Sequence, residues 1–492
     1  MTSRTVPTRF VVAWILVSLQ TSVSHGETHL VDAVQRGDVT RVERLLEQGA
    51  DVDSTTPDGT TAVLWAAHLD RIDIAKLLVR AGSKVSTANR YGVTPLMQAA
   101  TNGNAELVAL LLDAETDANA KTPQGETLLM IASRTGKPEA VRTLLEHGAN
   151  PNTPEDRRGQ TALMWAAAEG HVQTVQTLID AGAALDAESK RGFTAFLFAV
   201  RQGKIDVVRT LLRHQAEIMS VQNMREAPDS LKQSREQIGR ALCLAVSNAH
   251  FELAALLLEA GADPDFVWKG HAALHRIISV RKPGTGTHDP PPPGSGTMTS
   301  LELVGKLAER GADLDLRMTT GGYVSTGATA FLLAAHTADA GLMRLLADLG
   351  ADPLIPNKAH STPLMVAAGV GVKSPGEDAG TPSEVYEAVK IALALGGDVN
   401  AVNDRGETAM HGAAYKYADS VVPLLIENGA KIEIWNQKNR QGWTPLRIAA
   451  GIHRTMNLRK SPEVAAELRK AMMAAGVSTH IDPETNISGG TR

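Results

Sequence analysis

The sequence predicts an all-α solenoid of stacked helix pairs. Three observations carry that prediction: a recurrence at about 33 residues, a helix-start motif in phase with it, and a composition poor in aromatic residues. At 492 residues the chain is too long for one compact core, so it must either split into several domains or stack small units. Composition favours stacking. Hydrophobic residues make up 43% of the chain but aromatic residues only 4%, with alanine and leucine dominant, which suits thin layers of helices better than a thick core.

The recurrence is clearest at junctions of the Gly-Ala-Asp type. Gly49, Gly82, Glu115, Gly148, Gly182 and Gln215 follow one another at nearly equal steps. Gly261, Gly311, Gly350, Gly396, Gly429 and Gly476 continue the series, with several steps stretched by insertions. Twelve junctions imply about twelve repeats. A left-handed glycine at such a corner ends a helix without a steric cost. Glu115 and Gln215 replace it, at about 1 kcal/mol each if the conformation is kept.

The second marker reads TAVLWAA from Thr61, TPLMQAA from Thr94, TLLMIAS from Thr127, TALMWAA from Thr161 and TAFLFAV from Thr194. It returns from Thr329, Thr362, Thr408 and Thr444. Threonine caps the free amides of a helix start, and proline fits the next position because its missing N–H would be unpaired there anyway. Alanines such as Ala66 and Ala67 let neighbouring helices approach, and Val108, Leu111 and Leu112 give the second helix an apolar face.

These motifs resemble the T-P-L-H-x-A signature of the ankyrin repeat. The resemblance covers nearly all of the chain from residue 27, with two weakened repeats between 240 and 312. It implies a helix-turn-helix unit with a hairpin tip, and a protein-binding scaffold that uses no cofactor. Residues 27–216 hold six regular repeats and 238–477 six irregular ones, with a flexible tail expected at 478–492. The unit from Thr28 to Gly49 lacks the marker and carries Asp32, Gln35, Arg36 and Arg41, as an N-terminal cap should.

A polar segment at 217–237 separates the two halves, and insertions fall at 279–299, 369–384 and 451–463, each between the two helices of a repeat. The first contains four consecutive prolines, which favour an extended exposed stretch. Insertions on one edge suggest an alternative function, a small-ligand or enzyme-like site. The last two repeats are similar to the C-terminal part of exported bacterial ankyrin proteins, so a host-directed effector is a further alternative.

Residues 1–26 read as a signal peptide, with Arg4 and Arg9 before an apolar run from Phe10 to Leu19 and small residues after it. Removing them leaves 47 basic against 54 acidic residues, a net charge of about −7. A periplasmic or secreted protein is expected. With one cysteine, Cys243, an exported chain has no internal disulfide and depends on packing. No membrane association is expected after cleavage, and the acidic balance argues against nucleic acid.

Signals for catalysis are scarce, and no enzyme is expected. Gly371-Val372-Lys373-Ser374 resembles a phosphate-binding loop but lacks the glycine required before the lysine. His271 and His275 stand at ligand spacing without a third partner, and His275, like His411, falls on the histidine of the ankyrin signature. Cys243 reads as a small buried hydrophobe, and Trp65, Trp165 and Phe198 as core residues.

The binding expectation rests on the hairpin tips. They carry Arg90 and Tyr91, Arg157 and Arg158, Lys190 and Arg191, Asp404 and Arg405, and Arg440 and Gln441. Arg134 and Arg201, at the ends of first helices, continue the basic pattern. Arginine's planar fork suits carboxylates, so the expected partner is an acidic protein bound by a monomeric scaffold.

Overall fold

The computed structural model describes residues 29–222, 228–282, 292–372, 380–451 and 460–481. The expected signal peptide lies outside them, as do residues 283–291, 373–379 and 452–459 of the three insertions and most of the tail. Among the described residues there are twenty-five helices. Strand pairing among them is limited to isolated bridges at Thr55–Thr61, Lys121–Thr127 and Trp268–His271. The chain divides into two units, Met1–Leu163 with Thr177–Ala184, and Met164–Gln176 with Leu185–Arg492.

The first helix of each repeat starts as the threonine motif requires. The hydroxyls of Thr61, Thr94, Thr127, Thr194, Thr329 and Thr362 each accept the amide three residues on. Two repeats replace this cap with histidine. His275 Nδ1 accepts the Ala272 amide and His411 Nδ1 the Thr408 amide, while each Nε2 reaches a carbonyl of the following repeat, Leu316 at 2.9 Å and Gln437 at 3.2 Å.

Second helices bury one face. In Ile72–Arg80 and Ala105–Asp113 this face is Ile74 and Leu78, then Leu107 and Leu111, all fully buried. Each such side chain contributes about 1.5–3 kcal/mol. At the next corner Glu115 takes the left-handed conformation that its position demands, with φ of +63°. At Gln215 the corner is abandoned. The helix runs on as Ile205–Gln222, and Pro228–Ser247 follows it, so both helices extend into the polar segment.

At six of the junctions, side-chain to backbone bonds made four residues beyond the corner tie successive repeats together. Asn119, Asn152 and Asn400 accept the amides of Asn150, Ala184 and Lys431, and donate to the carbonyls of Gly148, Gly182 and Gly429. Asp53, Asp265 and Asp315 make only the accepting half. Shape and amide position thus specify the residue type. A carboxylate has nothing to donate.

In the second unit, Gly369 and Gly412 bring the helices Pro363–Ala368 and Ala409–Lys416 into near backbone contact. A Cβ on Gly412 would lie 2.8 Å from the Val370 nitrogen. Phe198 is buried as expected, whereas Trp65 and Trp165 are half-buried, Trp65 lying edge-on to His68.

Candidate functional site

Each of these hairpin tips is held by a side-chain acceptor at its first position. Asn89 takes the amides of Tyr91 and Val93, and Asn403 those of Arg405 and Glu407. At the basic tip of the first unit this acceptor is Glu155, which is buried. Its carboxylate accepts the amides of Arg157 at 2.7 Å, Arg158 at 2.6 Å and Gln160 at 3.2 Å. Tips are also bonded in series, Arg90 N to Asp58 O at 3.0 Å and Arg440 N to Arg405 O at 2.8 Å. The outward side chains are therefore presented by a rigid backbone.

Within the first unit, Arg90, Tyr91, Arg134, Arg157 and Arg158 are exposed. Arg90 bonds to the Tyr91 hydroxyl and lies 4.8 Å from its ring centre. Arg157 and Arg158 have no ion-pair partner among the described residues. The neighbouring Asp156 is paired with Lys121 at 2.9 Å, which leaves this tip positive.

Within the second unit Lys190 and Arg191 are exposed. Two other basic residues are committed to aromatic faces. Arg201 lies 5.5 Å from the ring of Phe193 and 5.0 Å from that of Phe198. Arg405 is half-buried with its guanidinium 3.5 Å above the ring of Tyr323. The Phe198 contact of Arg201 is local, three residues apart on one helix, whereas the Tyr323 partner of Arg405 is set by the fold and is not visible in the sequence.

Tyr323 belongs to a feature that sequence reading missed. Met318 and Ala328 close a long hairpin whose loop, Thr319–Gly327, crosses the two following repeats. Asn357 Nδ2 holds the carbonyls of Tyr323 and Val324, and the Lys358 amide holds Thr326 O. The Tyr323 hydroxyl donates to Glu407 at 3.3 Å and accepts from Asn403 Nδ2 at 2.9 Å. Tyr415 donates to the other oxygen of Glu407 at 3.3 Å, and Asn439 donates to Tyr415 at 2.9 Å. Burial pushes both phenols above their usual range, and the Glu407 charge adds to the effect. One signal was present in the sequence: the step from Gly311 to Gly350 exceeds every step among the first six junctions, so this repeat carries surplus chain.

Around the first insertion lies a cleft of about 280 Å³, lined by Phe251, Val280, Arg281, Pro292, Ser295 and Ser300 among others. Its one cation is spent. Arg281 clamps buried Asp339 at 2.6 and 2.9 Å and donates to Ser300 at 2.7 Å. Among the described residues, only the first of the three insertions contributes to this lining.

The remaining candidates are accounted for in bonding terms. Cys243 is buried against the Phe266 and His271 carbonyls, with burial pushing its thiol up. His271 Nδ1 bonds to Lys269 O. Lys373 and Ser374 lie outside the described residues. Among the described residues no three His, Cys, Asp or Glu side chains form a metal-binding group, and no helix is long and apolar enough to cross a membrane.

Comparison with known proteins adds the following. The family described as ankyrin repeats (three copies) matches residues 11–89, 30–122, 81–155, 129–223 and 382–458, more than half of the chain. The crystal structure of EF0377, an ankyrin repeat protein, is 28% identical over 38% of this chain and 98% of its own, with a TM-score of 0.36. No curated protein matches. Threonine-capped helix pairs, left-handed junctions and bonded hairpin tips agree with the family match, and the chain belongs to the ankyrin-repeat family.

Proposed function

We propose that this chain is an exported protein-binding scaffold that holds an acidic protein partner against its basic hairpin tips. Ankyrin repeats generally mediate protein–protein interaction, which supports the scaffold reading. The observation that carries the acidic partner is the tip at Arg157 and Arg158. Two exposed guanidinium groups without ion-pair partners among the described residues stand on a turn whose amides are fixed by buried Glu155. The turn backbone is already ordered, so pairing with carboxylates costs the side-chain freedom alone. On the second unit, Lys190 and Arg191 are likewise exposed basic tip residues. Export rests on the composition of residues 1–26 alone.

The test is affinity capture with the chain starting at Glu27, followed by titration of the captured protein. Reversing Arg157, Arg158, Lys190 and Arg191 to glutamate is expected to weaken binding at least tenfold and to flatten its salt dependence, with thermal stability nearly unchanged. Full binding by the quadruple variant would leave these tips as ordinary solvated charge.

A further inference from the structure

The extended hairpin at Thr319–Gly327 carries a tyrosine across into the two following repeats. Ordinary repeats touch only their neighbours. Tyr323 instead inserts its ring against residues of the two following repeats, Ser361 in one and Asn403, Arg405 and Glu407 in the other.

The socket is specified for a phenol. A guanidinium covers the ring face at 3.5 Å, which suits any aromatic ring. The hydroxyl is both acceptor and donor, taking a hydrogen bond from Asn403 and giving one to Glu407. Asn403 is 5% exposed, Glu407 4% and Ser361 0%. A ring without a hydroxyl would take one hydrogen-bond partner each from Asn403 and Glu407, which would keep their bonds to each other and to Ser361 and Tyr415. The preference for a phenol amounts to the two lost bonds. The socket therefore discriminates tyrosine from phenylalanine.

The occupant, by contrast, is held by a loop with little of its own core. Gly321, Gly322 and Gly327 surround it, Gly321 and Gly327 with positive φ. Its other bonds are main-chain contacts to Asn357 and Lys358, two long ones back to Gly270 and Lys269 at 3.4 and 3.5 Å, a main-chain bond to Met318, one from the Arg317 side chain, and turns within the loop itself. No residue of Thr319–Gly327 is fully buried. We infer that this socket is a tyrosine-binding site for a partner segment, and that Tyr323 is its resident occupant, displaced when the partner binds. The inference deepens the scaffold reading and rests on it, but uses none of the basic tips tested above. Failure here leaves the capture result standing, and the converse holds too.

The experiment uses the full chain with Tyr323→Gly, which empties the socket. The probes are the strap's own sequence as a peptide, Gly-Gly-Tyr-Val-Ser-Thr-Gly, and its phenylalanine analogue, titrated by calorimetry. Tyr323→Gly is expected to bind the tyrosyl peptide at least tenfold more tightly than the parent chain does, because the tethered competitor is gone. The phenylalanine analogue should bind at least tenfold more weakly than the tyrosyl peptide, and adding Glu407→Gln should shrink that preference. Equal binding by the parent and Tyr323→Gly, or no preference for tyrosine, overturns the proposal. If Tyr323→Gly loses its helical circular dichroism spectrum, Tyr323→Ser is read in the same way. Loss of the spectrum in both also overturns the proposal, since a displaceable residue cannot be one on which the fold depends.

Discussion

His275 and His411 each join a helix start to the next repeat through opposite edges of one ring. That geometry needs a neutral imidazole, since Nδ1 must accept. Burial, the largest cause, pushes both pKa values down to about 4, against roughly 6.5 in an unfolded chain. Between those two values the unfolded chain binds protons that the folded one refuses. The stabilisation is therefore complete above pH ~6.5 and is lost as pH falls toward about 4, at about 2 kcal/mol per ring by pH 5. His336, also held down to about 4 by burial, adds to the slope. Urea midpoints at pH 7.5 and 5 should show this loss. His411→Met, the residue type that stands at the same motif position as Met365, should cost about 1–3 kcal/mol at neutral pH by orphaning the Gln437 carbonyl. Its acid slope should be shallower than that of the parent. An equal slope would mean that His411 is not one of the titrating groups.

At the scale of the element, what could be read from the sequence was what is local in the chain. Threonine caps, the corner at Glu115 and the apolar faces of second helices depend on residues within one turn, so their spacing announces them. The strap at Tyr323 depends on contacts up to 84 residues away, and a glycine-rich loop carries no period. The stack of Arg405 on Tyr323 was equally hidden: the arginine's position was legible, its partner was not. Close helix packing sits between these cases, because Gly412 looks in sequence like a weak helix residue. A Cβ there would meet the Val370 nitrogen at 2.8 Å and both the Gly369 nitrogen and the Met365 carbonyl at 3.0 Å. Gly412→Ala is expected to destabilise by about 1–3 kcal/mol despite the better helix propensity of alanine. Gly305, inside the helix Ser300–Glu309, has nothing within 4 Å of the same position. Gly305→Ala should therefore stabilise by up to about 1 kcal/mol. Urea midpoints of the two variants decide the matter: shifts of the same sign would show that propensity, not backbone approach, governs both sites.

For the whole molecule, the composition that builds a repeat array also bears on where the protein works. Stability is spread over many small helix-to-helix contacts, and the lone Cys243 is buried against backbone carbonyls. The chain thus needs neither a disulfide nor a reducing environment. Export is compatible with such a design, and the case for it rests on the segment that precedes Glu27. Arg4 and Arg9 supply the charged start, and the stretch from Phe10 to Leu19 supplies an apolar run. A bilayer-spanning helix needs about 20 apolar residues, so under the proposed export this shorter run would act as a cleavable signal and not as an anchor. Small residues at Ser22, Ser24 and Gly26 then suit a signal peptidase. The expected outcome is a mature N-terminus at His25 or Glu27, read by N-terminal sequencing of protein from the exported fraction of a cell that makes the full chain. Protein found there with Met1 intact would refute cleavage, and finding the chain only in the cytosol would refute export.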